Sequence, residues 1–115
     1  MAKARVMYWK EVPVQVQAMD SSGSMSKPLE DRFQAGVDAL SMFDGSSSTD
    51  AYLESWEWGD YIEMDGSAQN VMETITERIN NSFPIDFVAR IRDLELEGNR
   101  DPRPGAVDHW LEEGV

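Results

Sequence analysis

Between residues 12 and 18 the chain alternates without a break: Val12, Val14, Val16 and Ala18 are apolar, with Pro13, Gln15 and Gln17 between them. A period of two with one apolar and one polar face describes a strand in a sheet covered on one side. It argues against a parallel sheet buried on both faces, whose strands read as continuous apolar runs. Residues 4–10 read as a partner strand, and Lys10-Glu11 between the two predict a tight antiparallel hairpin. Pro13 falls near the start of the second strand, where its missing N–H is tolerated.

A sheet with one apolar face needs helices to cover it. The stretch from Asp20 to Pro28 is small, polar and interrupted by Gly23, so it reads as an exposed loop. Leu29, Phe33, Val37, Leu40 and Phe43 then recur near the helical period, predicting a helix that ends before Asp44-Gly45. After the polar break Gly45–Thr49, the segment Tyr52–Met64 is aromatic and alternating, with Trp56, Trp58, Ile62 and Met64 on one parity. The expectation is one long strand, bulged at Gly59, in preference to a second hairpin.

Ser67 is placed to N-cap a helix carrying Val71, Met72, Ile75 and Ile79 on one face and closing at Asn80-Asn81-Ser82. Pro84 opens another, with Phe87, Val88, Ile91 and Leu94 inward and Gly98 at its end. The predicted order is β-β-α-β-α-α. The fold class is two-layer α+β, a small and mostly antiparallel sheet with helices on one face. Residues 1–98 are read as the domain and 99–115 as a Pro-rich linker plus a short amphipathic tail. That tail, with Val107, Trp110 and Leu111, docks on the domain or on a partner.

Composition narrows the function classes. With 115 residues, one domain is the working count. The 22 acidic and 10 basic side chains give a net charge of −12, which repels phosphate backbones and anionic membranes. No nucleic acid or membrane partner is therefore expected. The chain has no cysteine, which removes disulfides, thiolate nucleophiles and cysteine zinc sites. No apolar run approaches the roughly 18 residues of a membrane span, and the opening residues lack a signal-peptide centre, so a cytoplasmic location is the default reading. The edges of a three-stranded sheet leave a homodimer open.

Three groups of residues could carry function. Asp20, Ser22 and Ser24 resemble the Asp-x-Ser-x-Ser metal-ion-dependent adhesion site of von Willebrand factor A domains. A carboxylate and two hydroxyls on one loop suit Mg²⁺ or Ca²⁺. That family uses a parallel sheet covered on both faces, unlike the alternation at Gln15 and Gln17, so a coincidental Ser/Gly-rich loop is the simpler reading and no cofactor is predicted. Trp9, Lys10, Trp56, Trp58 and Tyr61 are rigid aromatics flanked by charge, either core packing or the anchors of a protein-binding patch. His109, the sole histidine, reads as a surface residue, and no nucleophile–base pair stands out among the many carboxylates.

The opening Ala4-Arg5-Val6-Met7-Tyr8-Trp9-Lys10-Glu11-Val12-Pro13-Val14-Gln15-Val16-Gln17-Ala18 resembles a small bacterial family catalogued as a virulence factor domain. So do Arg32–Ala39, Met42–Gly45, Tyr52-Leu53 through Trp56-Glu57-Trp58-Gly59, and Phe83–Ile91, so that the resemblance spans roughly residues 3–94. Longer relatives carry this domain between a Nfu-like segment and HEAT-type repeats, which implies an adaptor. The leading expectation is a non-enzymatic accessory or protein-interaction domain with a protein partner. The alternatives are a small subunit or ligand-binding module supporting a metabolic enzyme, for example a one-carbon enzyme, and a divalent-metal domain. The ligand-binding alternative requires a concave pocket with a few convergent polar groups.

Overall fold

The computed structural model describes residues 2–47 and 49–113. Ser48 of the polar break, and the first and last two residues of the ranges read above, lie outside the described residues. The elements are β1 (Ala2–Trp9), β2 (Val12–Asp20), β3 (Gly23–Pro28), α1 (Asp31–Phe43), α2 (Asp50–Glu54), β4 (Trp56–Trp58), β5 (Ile62–Met64), α3 (Ala68–Ser82), α4 (Phe87–Leu96) and α5 (Trp110–Glu113). Every strand pairing is antiparallel, in the order β3-β2-β1-β4, with β5 also on β1. Sheet and helices bury a common apolar core, so the chain is a two-layer α+β domain.

The first hairpin turns at Lys10-Glu11, where Lys10 adopts a positive φ of 51°. Ala2, Ala4, Val16 and Ala18 are buried, while Arg5, Gln15 and Gln17 on the alternate positions stay half-exposed. The segment from Asp20 to Pro28 corrects the loop reading: β3 pairs with β2 from Asp20↔Gly23 to Gln15↔Pro28. Its side chains are all exposed, so the edge strand rests on backbone pairing and carries no apolar alternation to betray it. Leu29 is extended and buried, its N–H donating to the Val14 carbonyl at 2.9 Å, and the helix begins only at Asp31.

The second aromatic segment also differs from expectation. Residues 50–54 form a helical turn, and Tyr52 packs its ring on Trp9 and Trp56 at 5.9 and 6.2 Å between centroids. Beyond it the expected long strand is interrupted: β4 and β5 are three-residue strands that both pair with β1, on either side of a bulge at Gly59–Tyr61. Met7 pairs with Trp58 and Ala4 with Ile62, so three residues, Gly59 to Tyr61, face two on β1. One extra residue reverses the parity. Trp58 therefore shares the face of Met7, whereas Ile62 and Met64 share the face of Ala4 and Ala2, which separates residues that the alternation alone placed together.

The α3 N-terminus is satisfied twice. Ser67 Oγ accepts from the Asn70 N–H at 3.2 Å, and Asp20 Oδ2 accepts from the Ala68 N–H at 2.8 Å. α1 and α4 approach closely at Gly36, where an added Cβ would collide with the Phe87 ring. Arg32 extends the contact between these helices and the end of α3, donating to the carbonyls of Asn80, Phe83 and Pro84. α4 starts at Phe87, three residues after Pro84, and Gly98 with φ 76° follows its end.

A buried charge network holds the hairpin turn, α1 and the segment after α4 together. Arg100 donates to both Glu11 oxygens at 2.8 Å and to Asp44 Oδ2 at 3.1 Å; Lys10 reaches the same Asp44 oxygen at 2.6 Å. The Arg100 and Glu11 side chains are 4% and 1% exposed. Burial works against the Arg100 cation, but the Glu11 and Asp44 partners outweigh it and hold its pKa above the ordinary value. With residue 100 anchored, the chain turns back so that Val107, Trp110 and Leu111 enter the core.

Removing one member of this network leaves the others buried without a countercharge. Arg100→Met should cost about 3–5 kcal/mol in urea unfolding, whereas Glu11→Met with Arg100→Met should recover most of that loss. A single-variant cost under about 1 kcal/mol would mean that solvent reaches the pair.

Candidate functional site

A cleft of about 390 Å³ opens between the sheet and the returning C-terminal segment. Its lining takes Ala4, Val6 and Tyr8 from β1, Ile75 and Ile79 from α3, and Leu111 from α5, which packs on α3. The bulge at Gly59 adds to this lining, since it turns Ile62 and Met64 onto this face. Gly59 is itself required there: an added Cβ would lie 2.8 Å from the Tyr8 ring, so a side chain would displace Tyr8.

Arg5, Tyr8, Asp60, Thr74, Arg78 and Asp108 are the polar residues of this mostly apolar lining. The Tyr8 hydroxyl donates to Asp108 Oδ2 at 2.7 Å, joining residues a hundred positions apart. Burial, then the neighbouring Asp108 charge and hydrogen bond, push the Tyr8 pKa far up, so the phenol keeps its proton. Burial also raises the Asp108 pKa, and the Tyr8 hydrogen bond and the charges of Arg78 and His109 do not fully offset it. Arg78, exposed on α3, stands at the rim. Asp108 Oδ1 has no hydrogen-bond partner among the described residues.

The residues singled out from sequence are dispersed. Trp9 is fully buried, its indole N–H donating to the Tyr52 carbonyl at 3.0 Å, which withdraws it from any surface patch. Lys10 belongs to the charge network. Trp56 is half-buried against Tyr52. Trp58 and Tyr61 do come together, flanking the Arg5 guanidinium at 4.0 and 4.6 Å from their ring centroids, while Arg5 Nε donates to Gln17 at 2.7 Å. Asp20 spends both oxygens on backbone donors, Ser22 and Ala68, which hold its carboxyl below the usual range. Ser22 lies in the β2–β3 turn and Ser24 on β3 opposite Met19.

The sequence reading missed Tyr8, Arg78 and Asp108. Tyr8 stands beside the candidates Trp9 and Lys10 in the sequence, but its pairing with Asp108 depends on the return of the chain after Arg100.

Fold and site together define a small α+β domain with an apolar cleft tipped by a buried tyrosine bonded to a half-buried carboxylate. The chain belongs to the Virulence factor family, whose model matches residues 7–91. No match came from the curated proteins or from the solved structures. The matched span contains Tyr8, Gly59 and Arg78, and Asp108 and Leu111 lie after it.

The raised Asp108 pKa has a definite consequence. The folded state favours the protonated acid, so this group's contribution to stability is complete below the unfolded pKa near 3.8 and is lost as pH rises through the folded value. Asp108→Asn keeps an oxygen acceptor for Tyr8 without the charge. Its melting temperature should exceed that of the parent at pH 7 and converge with it near pH 3. Equal gaps at both pH values would remove burial of the charge as the cause.

Proposed function

We propose that this chain is a small-ligand-binding accessory domain and that the cleft over β1 is its binding site. The observation carrying this reading is the combination of an apolar cavity of about 390 Å³ with a few convergent polar groups, Tyr8, Arg78 and Asp108. The volume falls in the range of small-molecule sites. Val6 and Ile75 are only partly buried, so apolar surface remains to be covered by an occupant.

Indole, a ring of suitable size, is the test probe. In an amide-resolved NMR titration it should shift signals bordering the cleft, those of Tyr8, Gly59, Gly105 and Asp108. Thr74 is exposed at the mouth and its hydroxyl bonds only the Asn70 carbonyl of its own helix, so Thr74→Trp should keep the fold and block the shifts. Shifts dispersed over the surface, or unchanged by Thr74→Trp, count against the cleft as the site.

A second reading, a protein-interaction domain, draws on the patch that survives around Trp58. Arg5 is held between Trp58 and Tyr61, and Tyr61 is 45% exposed. Aromatic and arginine anchors of this kind suit an interface. Tyr61→Ala should leave the melting temperature within about 1 °C, as expected of a surface site, and should abolish capture of a stoichiometric partner from host lysate. Capture unaffected by the substitution would place the interface elsewhere.

A further inference from the structure

Given the reading of the cleft as a ligand site, we infer that it selects a ring-bearing ligand that presents N–H donors, with an amidine-like edge, to Asp108. An ionised carboxylate is an acceptor only. Asp108 lines the cleft and Tyr8 takes its Oδ2, while Oδ1 has no partner among the described residues. A ligand reaching that oxygen must therefore bring the hydrogen.

Tyr8 also fixes where the acceptor points. Its ring is held across the bulge because Gly59 has no side chain, and its hydroxyl sits 2.7 Å from the carboxylate. Most of the remaining lining is hydrocarbon, including Val6, Ile75, Ile79 and Leu111, with Arg5, Asp60, Thr74 and Arg78 as its other polar members. It would take an apolar or aromatic ring, so the two chemical requirements fall on the two ends of one small molecule.

The sign of the ligand's charge follows from exposure. Arg78 and Asp60 are exposed, where water and salt screen them, and the Arg5 guanidinium is taken up by Trp58 and Tyr61, whereas Asp108 is half-buried and its charge is less screened. The field of the whole chain, with a net charge of −12, adds to the preference for a cationic donor. The opposite arrangement, a protonated Asp108 donating to an anionic ligand beside Arg78, would select a carboxylate, and the experiment separates the two.

Benzamidine, benzoate and toluene share the ring and differ in the polar end. Calorimetric or NMR titration at pH 7 should give benzamidine at least about a tenfold tighter dissociation constant than benzoate, as one charge-assisted hydrogen bond allows. Asp108→Asn, with its fold checked by circular dichroism, should bring the two within about threefold. Tyr8→Phe provides an independent variant: it frees Oδ2 without removing the carboxylate and should preserve the benzamidine preference. If benzoate or toluene binds the parent as well as benzamidine, the donor-selective class is wrong while the cleft stands as a ligand site. If none of the three perturbs the cleft amides, both readings fail.

Discussion

The pair Glu11–Arg100 is the contact on which the rest of the domain hangs. Taking both charges out of water costs several kcal/mol per ion, and only a two-pronged geometry with further donors and acceptors offsets it. Here the guanidinium meets both Glu11 oxygens, and Asp44, Lys10 and Ser46 complete the set. The network gives little margin for alternative arrangements. It joins three points distant in sequence: the turn of the first hairpin, the end of α1 and the residue that follows α4. Once Arg100 is seated, the direction of the remaining chain is constrained, and Val107, Trp110 and Leu111 reach the core within about a dozen residues. The cleft wall is a consequence of that anchoring, and so is the meeting of Tyr8 with Asp108.

What could be read from sequence was whatever is half-buried. The β1–β2 hairpin and the stripes of α1, α3 and α4 each have an apolar and a polar side, and each was visible as a period. β3 was not, because an edge strand with every side chain exposed has no apolar face to report. α2 was hidden for the opposite reason: Tyr52 and Leu53 have strand-like character, and the helical turn is selected by the packing of Tyr52 on Trp9 and Trp56. The bulge was foreseen at Gly59, but its effect on parity was not carried through to Ile62 and Met64. That reversal sends two apolar residues to the cleft and leaves Trp58 with Arg5 on the other face.

The site was less legible than the fold for a related reason. Aromatic residues stand out in a sequence, and so Trp9 and Trp56 drew notice although one is core and the other leans on it. A carboxylate among 22 acidic residues does not stand out at all. Asp108 becomes distinctive only through burial and through Tyr8, and both depend on a long-range contact. The one local clue was Gly59, since a glycine inside a strand marks either a bulge or a close approach of another group. It does both here, bending the strand and making room for the Tyr8 ring.

A half-buried carboxylate beside hydrocarbon is a cost that folding has already met by the time a ligand arrives. Water has been removed from much of Asp108, Tyr8 has fixed one oxygen, and the ring positions around it are set by α3 and β1. A donor entering the cleft therefore gains a charge-assisted hydrogen bond without again paying the larger part of the acceptor's desolvation, which is the advantage of a preorganised site. By linkage, a ligand that prefers the ionised acid draws the Asp108 pKa back down, and binding then offsets part of the stability that the charge forfeits above that pKa. The same side chain thus couples occupancy of the cleft to the stability of the segment that Arg100 anchors.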